Sequence, residues 1–103
     1  MKPIWITALA FAIAPLSTLA APVDDAMNKA GCMACHTKDK KLVGPSFKEI
    51  AAKYKGQDAT AKLMEKVRKG GAGVFGPVPM APTLPDKIND ADLKAAIELI
   101  LSS

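Results

Sequence analysis

The sequence predicts an all-α domain of four short helices. Apolar residues recur at helical spacing, no run alternates as a half-buried strand does, and capping and stop residues punctuate the chain at helix-length intervals. The chain has 103 residues, 23% charged, with a formal net charge of +4. That length allows one domain and excludes a multi-domain enzyme.

Residues 1–20 stand apart from the rest. They hold a single charged side chain, Lys2, and an apolar run from Ile4 to Ala14 that Pro15 interrupts. Ser17-Thr18-Leu19-Ala20 then puts small residues at the −3 and −1 positions of a cut after Ala20. This is the layout of a cleavable signal peptide. An uncleaved amino-terminal anchor is the competing reading, although the run falls short of the roughly 20 apolar residues a span needs. Either way the working domain, 21–103, is expected outside the cytoplasm, in the periplasm. Without the first twenty residues it carries thirteen bases against ten acids, about +3. A domain this small needs a metal, a disulfide or a cofactor to complete its core.

The first helix is read from Val23, Met27 and Ala30, with Asp24 and Asp25 in its first turn and Gly31 closing it. The second opens on a capping box, Ser46-Phe47-Lys48-Glu49. It turns Phe47, Ile50, Ala51 and Tyr54 to one side and stops at Gly56. Asp58 is expected to cap the third, which carries Leu63, Met64 and Val67 and ends at Gly70. The fourth runs from Asn89 or Asp90 to Leu101, with Leu93, Ala96, Ile97, Ile100 and Leu101 as its buried stripe. Between Gly70 and Pro85 lie four Gly and four Pro. A loop of that length in so small a domain is functional or disordered, and Val74, Phe75, Val78, Met80 and Leu84 give it apolar side chains that need something to pack on.

Cys32-Met33-Ala34-Cys35-His36 is C-x-x-C-H, the attachment signal of a c-type haem. Two thiols three positions apart can add to the two vinyl groups of one porphyrin, and the adjacent imidazole is then held beneath the iron as an axial ligand. Three other readings compete. A thioredoxin-like redox pair expects a βαβ pattern that this chain lacks. A Cys32–Cys35 disulfide would close too small a loop to staple anything. A zinc site needs four N or S ligands where three are available. His36 is the only histidine, so a sixth iron ligand would be Met, Lys or water, or the position stays open. Met27, Met33 and Met64 lie in helices or in the motif, where methionine is usually core filler. Met80 lies in Gly76-Pro77-Val78-Pro79-Met80-Ala81-Pro82, whose prolines restrict the chain enough to hold a weak thioether ligand. Simple packing of Met80 on its loop is the alternative.

Four segments together, Cys32 to His36, Lys41 to Pro45, Phe47 to Tyr54 and Gly73 to Met80, resemble the small bacterial cytochromes c of the cytochrome c-551 (c8) family. The resemblance covers essentially all of residues 22–103. It implies a class I cytochrome c fold, four short helices wrapped around one covalently bound haem c. Cys32 and Cys35 would be the attachment points, and His36 and Met80 the axial ligands of the iron. It also implies that the Pro45 carbonyl accepts the Nδ1–H of His36. The chain departs from the family at Phe75 and Leu99, where Trp is usual, at Lys66, where Arg is frequent, and at Thr83, where Asn is usual. Phe75 and Leu99 have no side-chain donor for a haem propionate, and Lys66 is a point charge rather than a planar fork. An altered propionate anchor and a shifted reduction potential are therefore expected.

These features predict a soluble electron carrier rather than an enzyme, since two protein ligands leave the iron no position for substrate. A haem sensor or a small peroxidase-like enzyme with a displaceable Met80 is the alternative. The resemblance implies larger redox proteins as partners, such as a terminal oxidase, a nitrite reductase or a cytochrome c peroxidase. With two ionised propionates the domain's charge falls to about +1. Nucleic acid is not an expected partner, because lysines and acids are interspersed. A monomer is expected, with no stable membrane insertion after signal cleavage. Lys29, Lys38, Lys40, Lys41 and Lys69 are either ordinary solvated surface or a partial ring around the haem edge that steers an acidic partner.

Overall fold

Among the described residues, four α-helices make the fold: α1 (Ala20–Lys29), α2 (Phe47–Lys53), α3 (Thr60–Lys69) and α4 (Asp90–Leu101). A 3-10 turn at Cys32–Ala34 lies between α1 and α2. The structure, a computed structural model, describes residues 2–4, 9–10 and 20–103. Apart from those few positions, the expected signal peptide lies outside the described residues. Among the described residues there is no strand, only two isolated antiparallel bridges, His36 with Lys41 and Gly71 with Met80. No helix among them is long and apolar enough to cross a membrane.

Helix α4 packs against α1, α2 and α3. Its side chain stripe explains why: Leu93, Ala96 and Ile97 are buried, joined by Met27 of α1, Phe47 of α2, Leu63 of α3, and Tyr54 and Ile88. Ile100 and Leu101 extend the stripe at partial burial. Truncating one of these large side chains to Ala costs about 2–5 kcal/mol.

The helix ends follow the sequence in part. Ser46 caps α2 with both halves of the capping box: its Oγ accepts from Glu49 N–H at 3.1 Å, and its own N–H donates to Glu49 Oε2 at 2.8 Å. Asn89 caps α4, its Oδ1 accepting from Asp92 N–H at 2.8 Å. Two expectations are corrected. Helix α1 begins at Ala20, so Asp24 and Asp25 fall in its second turn. Alanines extend a helix readily, and Pro22 is tolerated where the N–H has no intrahelical partner. Helix α3 is capped by Ala59, with no side-chain bond, rather than by Asp58. Ala59 is buried in the core and its carbonyl accepts from Leu63 N–H at 2.9 Å, so packing fixes the start one residue later.

Candidate haem cavity

The helices enclose a cavity of about 340 Å³, lined by Cys32, Cys35, His36 and Pro45 on one segment and by residues 71–81 on another. Apolar side chains from all four helices complete it, among them Met27, Ile50, Leu63 and Ile97. The Gly/Pro loop thus finds its packing partner. Val74, Phe75 and Val78, too exposed for ordinary core residues, all line this cavity.

The 3-10 turn sets the attachment motif. Cys35 and His36 N–H groups both donate to the Cys32 carbonyl, at 3.3 and 3.1 Å, which turns both half-buried cysteines toward the cavity. Burial pushes the Cys32 thiol up, partly offset by a backbone hydrogen bond and with a smaller like-charge contribution from Cys35.

The His36 ring is held on two sides. Its Nδ1 lies 2.7 Å from the Pro45 carbonyl oxygen. A carbonyl only accepts, so Nδ1 carries the proton and Nε2 keeps the lone pair that a metal needs. Phe47 stacks on the ring, with centroids 5.9 Å apart. Gly44 completes the seat: a Cβ there would lie 2.5 Å from Cε1 and 2.9 Å from Nδ1 of the imidazole. Only a glycine lets the backbone pass so close to the ring.

Met80 is fixed through its backbone. Gly71 and Met80 exchange N–H···O bonds, each 2.9 Å. Gly70, with φ of 70°, ends α3 where a Cβ would run into the Met80 carbonyl. Thr83 supports the loop without using its side chain, since its N–H donates to the Val67 carbonyl at 2.9 Å. The main chain therefore ties the loop to α3 at this position.

Other predicted positions are placed less uniformly. Lys66 and Phe75 line the cavity, and Lys53 Nζ lies 5.6 Å from the centre of the Phe75 ring. Leu99 does not line it and is 39% exposed. Of the five lysines considered for a ring, Lys41 lines the cavity. Lys69 pairs with Glu65 at 2.6 Å, and Lys29 borders a separate polar hollow with Asp25 and Asp86. Met33, expected as filler, is 40% exposed, whereas Met27 is buried and lines the same cavity as Met80. Sequence reasoning passed over Gly44 and Arg68, whose roles depend on what the fold brings next to them.

The donor set fits a haem. Two thiols three positions apart line the cavity, an imidazole beside them keeps a lone pair, a thioether comes from the loop, and apolar side chains are available for the macrocycle's faces.

The sequence model of the family described as Cytochrome c matches residues 20–103. Cytochrome c2 of Rubrivivax gelatinosus is 55% identical over 76 residues, covering 73% of this chain and 89% of that protein. Cytochrome c-551 of Pseudomonas aeruginosa is 41% identical over 73 residues, 70% of this chain and 67% of that one. The crystal structure of the class 1 cytochrome MtoD from Sideroxydans lithotrophicus superposes with a TM-score of 0.70 at 30% identity, over 82% of this chain and 97% of that one.

Proposed function

This chain belongs to the cytochrome c family as a small class I member of the c-551 type, and from that premise we propose that it is a periplasmic single-electron shuttle between larger redox proteins. Its cofactor is one covalently bound haem c. Cys32 and Cys35 would hold it through thioether links, and His36 and Met80 would be the protein ligands of its iron. The observation that carries this reading is the convergence of those four side chains on one cavity, with His36 held in the metal-binding tautomer by Pro45.

The haem supplies a metal that exchanges one electron between Fe(III) and Fe(II). The chain's own residues set how easily it does so. A methionine partner for histidine raises the potential, and the apolar walls act in the same direction by disfavouring the extra charge of the oxidised state. The hydrogen bond from His36 to Pro45 fixes the ring and adjusts its basicity. Because Gly44, Phe47 and the Gly71–Met80 pair hold both proposed ligand segments in place, little has to move when the charge changes. With His36 and Met80 as its two protein ligands, the iron would have no position for a substrate, which favours a carrier over an enzyme. Electrons would pass at the open rim of the cavity, where Val43 and Val78 are exposed, in brief encounters with small buried area.

Visible spectra of the purified protein, oxidised and reduced, test this. The expected result is a reversible low-spin c-type spectrum with a Met-to-iron charge-transfer band in the oxidised form. A colourless protein, or a high-spin oxidised form with water on the iron, would overturn it.

A further inference from the structure

We propose that Arg68 is a positioning residue for Met80: its guanidinium locks the chain just after Met80 to the end of α3 and the start of α4, and so keeps the thioether on the iron against competing ligands. The proposal rests on Met80 being the sixth ligand.

Met80 is anchored before and after. Before it, the segment is paired through Gly71. After it, only Ala81 and Pro82 separate Met80 from Thr83, and it is there that Arg68 acts. Nη1 donates to the Thr83 carbonyl at 3.1 Å, and Nη2 donates to the Ile88 carbonyl at 2.8 Å and to Asp90 Oδ1 at 2.7 Å. One planar group thus joins the last turn of α3, the exit of the ligand loop and the first turn of α4. Its partners lie 15, 20 and 22 residues along the chain.

The three contacts differ in weight. The Asp90 side chain is 82% exposed, so that ion pair is screened by solvent. The Arg68 side chain is 19% exposed, and its bonds to two backbone carbonyls are charge-assisted in a partly dry setting. Those two carbonyls bracket residues 84–87 and fix both ends of that stretch. A lysine offers a compact ammonium in place of the fork and cannot reproduce both bonds in the same geometry.

An exogenous ligand reaches the iron only when Met80 has left. Its apparent affinity is therefore scaled by the fraction of molecules with the loop open. Loss of the two partly buried bonds to the carbonyls changes that fraction by about tenfold.

Imidazole titrated into the oxidised holoprotein, followed by loss of the Met-to-iron band, tests the proposal. Arg68→Ala is expected to tighten apparent imidazole binding about tenfold, with Arg68→Lys in between. Asp90→Asn, which leaves the carbonyl bonds in place, is expected to match the wild type. Ala51→Gly lowers global stability from within α2, away from the cavity, and is also expected to match it. Unchanged affinity in Arg68→Ala overturns the proposal. So does a tightening that simply tracks global stability across Arg68→Ala and Ala51→Gly. Should Arg68→Ala not fold, Arg68→Lys carries the test, and wild-type affinity there overturns it. A charge-transfer band that survives Met80→Ala is a distinct failure: it removes the ligand assignment itself.

Discussion

The Pro45 carbonyl oxygen stands 2.7 Å from Nδ1 of His36, across nine residues of chain that loop out and return beside the imidazole. The return is possible because Gly44 presents only hydrogen to the ring. This pair fixes the tautomer and the orientation of the proposed proximal ligand. Its geometry is therefore sensitive to a single methyl group.

Gly44→Ala places that methyl group 2.5 Å from Cε1 of His36. The ring or the 44–45 backbone must give way, at about 1–3 kcal/mol for an overpacked site. Denaturant unfolding should show a loss in that range, and the reduction potential should move as the Pro45 bond lengthens. Wild-type stability and potential together would falsify this account of the seat.

Two methionines reach the cavity, so their roles separate by substitution. Met80→Ala should abolish the Met-to-iron band and lower the potential, within the ~0.8 V span that axial ligands set. Met27→Leu, a swap of similar volume in the core, should keep the band and cost less than about 1.5 kcal/mol. The opposite pattern would make Met27 the ligand.

Ser46 is 1% exposed and makes both bonds of the capping box. Ser46→Ala should destabilise the protein by about 1 kcal/mol, the usual cost of an N-cap. Glu49→Gln, which keeps an acceptor, should lose less. Equal losses in urea melts of the two variants would argue against the reciprocal arrangement.

Phe75 stands where the c-551 family usually has Trp, and it lines the cavity without offering a hydrogen bond. Phe75→Trp adds an indole N–H donor at that wall. A measurable change in potential is expected, with the Met-to-iron band preserved. An identical potential would mean that this position does not contact the cofactor's polar groups.

The bond from Lys69 holds the Glu65 carboxyl below the usual carboxylate range, and the bond from Lys48 does the same for Asp39. Groups depressed in the folded state stabilise it above their unfolded values and lose that contribution as pH falls through the folded ones. Lys69, raised by Glu65, behaves inversely: its contribution is complete below the ordinary lysine value and fades as pH rises through the raised one. All three groups are exposed, so the effect should be small and suppressed by salt. Unfolding midpoints of Glu65→Gln, followed from neutral pH into the carboxylate range, should show a weaker acid dependence than the wild type at low salt. At high salt the two should converge, and a difference that persists there would contradict the exposed-pair picture.

Much of the molecule was legible in the residues. C-x-x-C-H names its own chemistry, because two thiols and an imidazole at that spacing have few uses. The capping box of α2, the Asn89 cap and the apolar stripe of α4 were readable because their partners lie three or four residues away. The start of α3 was misjudged at Asp58 because burial of Ala59 outweighs a local capping preference. Of the surface lysines, Lys69 meets Glu65 one helical turn away, a pair marked by sequence spacing, whereas the hollow that Lys29 shares with Asp25 and Asp86 is made by the fold.

By itself the sequence determined what depends on residue type at short range: the attachment motif, the helices, and a proline-stiffened loop bearing Met80. Only the tertiary structure decided how the ends of that loop are held and why Gly44 must be glycine. The partners there are backbone carbonyls and a ring brought close by folding. Every residue carries a carbonyl, so no side-chain identity marks Thr83, Ile88 or Pro45 as the acceptor, and the fold alone selects which one Arg68 or His36 will meet.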